Sequence, residues 1–291
     1  MKKLIFPIVL IFLIASQSLK AQDHPAYKIY AQEGKAVKFS KMMKQIEDAD
    51  IVLFGENHNN SIVHWMELQV TKAMYVQSPN LVVSAEMLEA DDQLIVNEYL
   101  AGNYDNKMFN DEAKMWKNYK TDYKPLVEFA KENNLPVVAS NIPRRYARMV
   151  YKKGVESLDS LTDEAKSYIA PLPMEIDLTL PGYKNMIETM GSHAPKESVE
   201  NMARAQAAKD ATMAHFILKA FTGDNHVIHY VGAYHSNNFD GINNYLKAAN
   251  PNIKIITISV ADQDDINELE EDNMNLANFI IAVPSDMTKT Y

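Results

Sequence analysis

A short apolar run that ends in a glycine and leads straight into polar side chains constrains this chain more than any other segment. The run covers residues 51–54, and Gly55, Glu56 and His58 follow it. Four apolar residues are too few for a helix and are typical of a strand buried on both faces of a sheet. Gly55 lets the backbone bend, and residues 59–61 can cap a following helix. The segment therefore predicts a strand, a turn and a helix, with Glu56 and His58 at the carboxyl end of the strand.

The same pattern returns near the other end of the chain. Residues 226–231 form an apolar strand pattern, followed by Gly232 and, three residues later, His235. The sequence thus contains G-x-x-H twice, each time after a strand. The carboxyl ends of parallel strands are where open α/β sheets bind ligands. Each histidine is either part of such a site or a hydrogen-bonded strand-end residue without a ligand.

Further strand patterns cover residues 81–87, 137–141, 254–260 and 279–284, with helical segments between them. Alternating strands and helices predict an α/β fold with a mainly parallel central sheet flanked by helices. The strand at 279–284 ends in a proline, which sheet edges tolerate, so we expect it at the edge and antiparallel.

Two more side chains belong to the same predicted sheet edge. Glu86 ends the second strand, and a carboxylate there needs a basic partner or a metal. Arg144 follows the third strand and can bind a carboxylate with two parallel hydrogen bonds. It either serves the site or simply pairs with Glu86 or Glu56.

The first predicted helix after Glu56 spans residues 61–77. Spacing of 3.6 residues assigns its buried stripe to Ile62, Trp65, Met66, Ala73 and Val76. His64 then falls on the opposite side, where we expect it to be solvated.

A helical insertion, or small second domain, is expected at about 146–223. Its long helix, 198–221, carries Gln206 and Asp210 inside an apolar stripe. A buried aspartate needs a partner, so Asp210 should meet Arg144, Arg145 or a ligand, unless it lies at the rim of the helix face.

Composition narrows the class of protein. The chain has 291 residues and a net charge of −9, without the lysine and arginine clusters of a nucleic-acid binder. Residues 1–21 read as a cleaved signal peptide, with two lysines before an apolar run too short to cross a bilayer; an uncleaved interfacial anchor is the alternative. Residues 22–291 would then form the exported α/β domain. The chain has no cysteine, which excludes disulfides and a lipid-anchor cysteine.

In order along the chain, these residues resemble the ChaN-like haem-binding uptake family, which is grouped with Tiki-type and erythromycin esterase-like proteins. The resemblance covers residues 40–250 and rests on Gly55-Glu56-Asn57-His58, Gln69, Ala85-Glu86-Met87, Trp116, Tyr123, residues 138–144, Gln206, Asp210, Met213-Ala214, Gly232-Ala233-Tyr234-His235 and Gly241-Ile242. It implies haem-linked iron acquisition at the periplasm or cell surface, uptake components as partners, and a homodimer enclosing haem.

Haem iron needs an axial tyrosinate or imidazole when no cysteine is present, together with an aromatic wall. Tyr183, in the insertion, is one candidate ligand, with Gln206 and Asp210 near the same site. A second hypothesis is a hydrolase in which Glu56, His58 and His235, with Glu86, hold a divalent metal. Arg144 would then stabilise the oxyanion. A third is a binding protein in which the polar cluster is structural.

Overall fold

Eight strands form one mixed sheet in the part of the chain that the computed structural model describes, residues 23–113, 115–191 and 195–291. The strands are β1 (Lys28–Ala31), β2 (Ala36–Val37), β3 (Ile51–Glu56), β4 (Leu81–Glu89), β5 (Val137–Asn141), β6 (His226–Gly232), β7 (Ile255–Gln263) and β8 (Phe279–Pro284). Their order is β2-β1-β8-β7-β3-β6-β4-β5. The predicted signal peptide, residues 1–21, lies outside the described residues. Within the described ranges, no helix combines the length and apolar character needed to cross a membrane.

Six neighbouring strands, from β8 to β5, are parallel to one another. All six residues of β3 are buried, as expected for a strand covered on both faces. The predicted α/β fold with a mainly parallel sheet is therefore confirmed. β3 and β6 are direct neighbours, with Glu56 opposite Gly232. The two G-x-x-H turns consequently leave the sheet side by side.

The prediction for β8 was wrong. β8 runs parallel to β7, and the antiparallel strand β1 covers its other side. β1 and β2 thus form the antiparallel edge of the sheet. Pro284 is the last residue of β8, so its missing N–H does not interrupt the hydrogen-bonded ladder.

Helices cover both faces of the sheet. They are α1 (Phe39–Ile46), α2 (Ser61–Gln77), α3 (Gln93–Leu100), α4 (Asn106–Glu112), α5 (Lys124–Glu132), α6 (Arg144–Lys153), α7 (Asp163–Lys166), α8 (Pro181–Met190), α9 (Lys196–Ala220) and α10 (Ile242–Ala249), with a π-helical turn at Tyr119–Tyr123 and short 3₁₀ turns elsewhere. Alternate residues of β6 enter different cores. Ile228 and Tyr230 pack on the α2 and α5 side, and Val227 and Val231 pack on the α9 and α10 side.

The predicted buried face of α2 was wrong. The side chains of Trp65 and Val76 are 49% and 82% exposed, while His64 and Glu67 are buried. The complete buried set is Val63, His64, Met66, Glu67, Val70, Thr71 and Met74. Hydrophobic spacing misplaced the face because two of its members, His64 and Glu67, are ionisable groups that are buried in contact with one another.

The segment expected to be a helical insertion contains α6 to α9. α9 lies directly on the sheet, with Met213 and Ile217 in the same core as Val82 of β4. α6 packs on the side of α9, where Val150 contacts the cluster that includes Ala208. This arrangement holds Gln206 and Asp210 close to the carboxyl ends of β4 and β6.

Candidate functional site

An open cleft of about 630 Å³ lies at the carboxyl ends of the central strands. Such a volume is within the range of small-molecule sites. Its lining comes from the ends of β3, β4 and β6, the turns after β3 and β6, the segment that holds Trp116, α9, the end of β7 and Tyr291. The lining residues are Glu56, Asn57, His58, Asn59, Glu86, Trp116, Gln206, Lys209, Gly232, Ala233, Tyr234, His235, Asp262 and Tyr291.

His58 is held by the carboxylate that ends β3. Its Nδ1 lies 2.5 Å from Glu56 Oε1, which also accepts a hydrogen bond from the Tyr123 hydroxyl at 2.7 Å. The His58 side chain is 36% exposed, and its ring meets the edge of Trp116 at 4.8 Å between centroids. Burial lowers the pKa of His58, but the hydrogen bond to Glu56 and the charges of Glu56 and Glu86 together outweigh it and leave the pKa raised. The pair orients the ring, and the side chain stays accessible from the cleft.

His235 is held in the same way from the opposite wall. Its Nδ1 lies 2.5 Å from Asp210 Oδ1, and the Tyr183 hydroxyl donates to Asp210 Oδ2 at 2.6 Å. All three residues are buried. Burial lowers the pKa of His235, but the charges of Asp210 and Glu86 raise it above its ordinary value. Burial is the main cause of the raised pKa of Asp210 itself.

Glu86 lies between the two histidine turns. Its Oε2 accepts the Gly232 N–H at 2.9 Å, and its Oε1 is 3.6 Å from His235 Nε2. Burial raises the pKa of Glu86, but the positive charges of His235 and Lys209, followed by the Gly232 N–H, lower it further than burial raises it. Glu86 is therefore an anion that faces cationic side chains across the cleft.

The glycines of the two G-x-x-H turns are required by close contacts between the turns. A Cβ on Gly55 would lie 2.9 Å from Ala233 Cα, and a Cβ on Gly232 would lie 2.9 Å from His58 Nε2. Larger residues at either position would push the two turns apart. The spacing seen in the sequence thus reflects the packing of one turn against the other.

A second polar cluster lies behind Glu56, away from the cleft. Its members are His64, Glu67 and Asp122, all buried. His64 Nδ1 lies 3.0 Å from Glu67 Oε2 and 3.3 Å from Glu56 Oε2. The second contact has the distance of an ion pair but not the geometry of a hydrogen bond.

The pKa values of Glu56 and Glu67 shift in opposite directions because the two carboxyl groups are buried together. Burial alone would raise the pKa of Glu56, but polar contacts with Glu67, His58 and His64 bring it well below the ordinary range. Burial and the Glu56 charge raise the pKa of Glu67. Burial lowers the pKa of His64, yet the charge of Glu67 and the close approach of the Glu56 carboxylate raise it to about 11. The pKa values of the two carboxyl groups are therefore driven apart, and that of His64, which faces both, is raised.

Sequence reasoning missed His64 and Glu67. The signal that could have found them is their spacing of three residues on α2, which puts both on the face that also carries Met66 and Val70. A histidine and a glutamate so placed can bury as a pair. The apolar residues of the helix alone do not reveal such a pair.

The structure places most of the candidate residues in the lining of the cleft but leaves Arg144, Tyr183 and Asp210 outside it. Glu56, His58, Glu86, His235 and Gln206 line it, and Asp210 supports it through His235. Arg144 is 80% exposed and lies 4.0 Å from Glu89, which ends β4 beyond the cleft. The geometry therefore gives no support for an oxyanion role of Arg144.

The expected partners of Asp210 also differ from the observed ones. Asp210 meets His235 and Tyr183, whereas Arg145 pairs with Asp91 at 2.5 Å. Tyr183 is 2% exposed, and its hydroxyl is engaged by Asp210. Burial and the Asp210 charge raise the pKa of Tyr183, which opposes formation of a tyrosinate ligand. Tyr183 consequently acts as a support for Asp210 rather than as a group open to a ligand.

This chain is similar to several solved structures. Cofacially haem-bound ChaN of Campylobacter jejuni superposes with a TM-score of 0.65 at 16% identity, covering 88% of this chain and 96% of that chain. An open form of the erythromycin esterase EreC has a TM-score of 0.48 at 10% identity, covering 80% of this chain and 76% of that chain. The type III effector HopBA1 has a TM-score of 0.47 at 12% identity, covering 84% of this chain and 91% of that chain. No curated protein matches by sequence.

A family model described as haem-binding uptake, Tiki superfamily, ChaN matches residues 42–246. The match begins in α1 and ends in α10, so it includes β3 to β6 and both G-x-x-H turns. It also includes the three elements that hold Tyr183, Asp210 and His235. The chain therefore belongs to the ChaN haem-binding uptake family of the Tiki superfamily.

Proposed function

We propose that this protein binds haem in the cleft and takes part in haem and iron acquisition. Family membership supports a haem-binding role. The observation that carries the assignment to the cleft is the pairing of His58 Nδ1 with the buried carboxylate of Glu56. Histidines that bind metals usually engage their second ring nitrogen in this way, which orients the ring and increases its basicity.

The donor set of the cleft fits haem. His58 offers an imidazole, and Trp116, in edge contact with it, offers an aromatic surface for the macrocycle. Lys209 lines the same cleft and provides a cation for a propionate. Bound haem would supply the redox-active iron, while these residues bind and orient it.

Tyr234 is the competing axial ligand. It is 41% exposed at the cleft and donates a hydrogen bond to Gly182 O at 2.7 Å. Burial, followed by the charges of Asp210 and Asp240, raises the pKa of Tyr234 to about 12. Ligation as a tyrosinate would require the loss of both this proton and the hydrogen bond, so His58 is the favoured ligand.

Haemin titration tests the proposal. Purified protein should shift the Soret band with a saturating stoichiometry, and His58→Ala should abolish the shift or displace its maximum. Tyr234→Phe should retain the wild-type spectrum, and Tyr151→Phe, at an exposed tyrosine of α6 outside the cleft lining, is the matched control. Loss of the shift in Tyr234→Phe alone would move the ligand to that tyrosine. Absence of any haem binding by the wild type would overturn the function.

We further propose export to the periplasm or cell surface after removal of residues 1–21, and a homodimer that encloses haem and delivers it to or receives it from uptake components. The charged and apolar pattern of the N-terminal residues supports export. The mature N-terminus, read by mass spectrometry from the exported fraction, should follow Ala21. Light scattering with and without haemin should show the mass of two chains.

A metal-dependent hydrolase is the second candidate, because Glu86 lies between two histidines that are each oriented by a carboxylate. Glu56, His58, Glu86 and His235 would hold the ion, which would activate water. Lys209, rather than Arg144, is positioned to steady a developing negative charge. Metal-dependent cleavage of a peptide or ester probe that His235→Ala abolishes would favour this candidate over haem binding.

A further inference from the structure

The cluster behind Glu56 has the donor atoms of a metal site that shares only Glu56 with the lining of the cleft. Glu56, His64 and Glu67 each place one ligand atom within 4.8 Å of the other two. The three residues are 2%, 4% and 0% exposed. They come from the end of β3 and the first two turns of α2, so one strand-turn-helix unit supplies the whole set.

Two oxygen atoms of this cluster are without a hydrogen bond. Glu56 Oε2 and Glu67 Oε1 are both buried, and neither has a hydrogen-bonding partner among the described residues. Buried carboxylates that face one another are costly unless a proton or a cation lies between them. The unpartnered oxygens therefore point to a positively charged occupant.

The orientation of His64 is an independent observation. Its Nδ1 faces the two carboxylates, while its Nε2 lies 3.2 Å from His58 O and 3.6 Å from Asp122 Oδ2. Asn118 donates to both of these acceptors, at 2.7 and 2.8 Å. A metal-binding imidazole is normally tethered by its other nitrogen to a carbonyl or carboxylate, as His64 is.

We propose that Glu56 Oε2, His64 Nδ1 and the Glu67 carboxylate bind one divalent first-row transition ion, such as Zn²⁺ or Mn²⁺. Imidazole favours zinc and its neighbours over magnesium, and two carboxylates suit zinc or manganese. The ion neutralises the two carboxylates and links the end of β3 to the first two turns of α2 through their shared ligands. Since Glu56 Oε1 contacts His58, the occupied site also stiffens the histidine of the cleft.

The test measures metal content in the full chain. Wild-type protein stripped with a chelator, then dialysed against Zn²⁺ or Mn²⁺, should retain about one ion per chain by mass spectrometry. Glu67→Gln should lose that ion. His235→Ala, which disrupts the cleft, should retain it, as should Glu128→Gln, a matched change at a half-buried glutamate bound to Tyr99. Haemin titrations on the same stripped samples keep the haem proposal separate, because its failure would leave these metal contents unchanged.

Crystals of wild-type protein soaked in Zn²⁺ locate the ion without relying on a variant that folds. An anomalous peak between His64 Nδ1 and the two carboxylates supports the proposal. A peak between His58 and His235, or retention of the ion by Glu67→Gln, overturns it. Wild-type protein that retains no ion in either experiment also overturns it, and leaves a shared proton as the occupant.

Discussion

Two histidines close together in the chain, His229 in the middle of β6 and His235 in the turn after it, have pKa values shifted in opposite directions. His229 is fully buried in β6, and its nearest polar partner is Ser84 Oγ at 2.9 Å, with Nε2 unpaired among the described residues. Burial lowers the pKa of His229 to about 3. His235, six residues later, has a raised pKa because Asp210 and Glu86 face it. Charged partners, rather than burial, decide which of the two is cationic.

The lowered pKa of His229 predicts how the free energy of unfolding depends on pH. Between its unfolded pKa near 6.5 and its folded pKa of about 3, the unfolded chain binds a proton that the folded chain does not. The free energy of unfolding should therefore fall as pH decreases through this window, by at most about 1.4 kcal/mol per pH unit from this group. Urea unfolding of His229→Gln should show a shallower dependence than the wild type. Parallel curves for the two proteins would contradict the assignment.

Gly232→Ala tests the contact between the two turns. The added Cβ would meet the His58 ring at 2.9 Å and would displace it, because that ring is the accessible partner. We expect the steric misfit to cost about 1–3 kcal/mol. If this cost weakens haemin binding, the haemin Kd rises about tenfold for each 1.4 kcal/mol. Gly102→Ala is the control, because its added Cβ would meet open space. The positive φ of Gly102 means that this change can lower the stability of the fold, but it should leave haemin affinity unchanged. Unchanged haemin affinity in Gly232→Ala would exclude His58 from the haem site.

At the scale of single elements, Asn60 caps the start of α2. The Asn60 Oδ1 accepts hydrogen bonds from the N–H groups of Ile62 and Val63, at 3.1 and 3.4 Å. Loss of such a cap costs about 1 kcal/mol. Asn60→Ala should lower the free energy of unfolding by that amount in urea titrations, while Asn60→Ser should retain most of it. Equal losses in the two variants would assign the effect to packing instead of capping.

At the scale of the whole molecule, Tyr183 connects the helical segment to the sheet. Its hydroxyl in α8 donates to Asp210 in α9, which holds His235 after β6. Tyr183→Phe removes a donor from a fully buried carboxylate, so the free energy of unfolding should fall by about 1–3 kcal/mol. Tyr151→Phe, at a 44% exposed side chain, should change it by less than about 0.5 kcal/mol. Similar values for the two variants would show that the α8 connection contributes nothing to stability.

Much of the fold and of the cleft can be predicted from local sequence patterns. The apolar runs of β3 and β6 indicated buried strands, and the residues just after them indicated the sheet edge. That was enough to bring Glu56, His58, Glu86 and His235 to one cleft, because neighbouring parallel strands end at one edge. The same pattern does not predict the position of the Arg144 side chain. Arg144 follows β5 in the chain, but its side chain lies near Glu89 and is exposed to solvent.

By itself, then, the sequence determined the alternation of strands and helices and the edge at which chemistry collects, since both follow from the periodicity of neighbouring residues. Only the tertiary structure decided which polar groups are buried. Glu67 lies inside the protein because His64 and Glu56 meet it there, and Asp210 does so because Tyr183 and His235 approach from separate elements. Burial of a charge depends on partners that arrive from distant chain segments, and a local pattern carries no record of them.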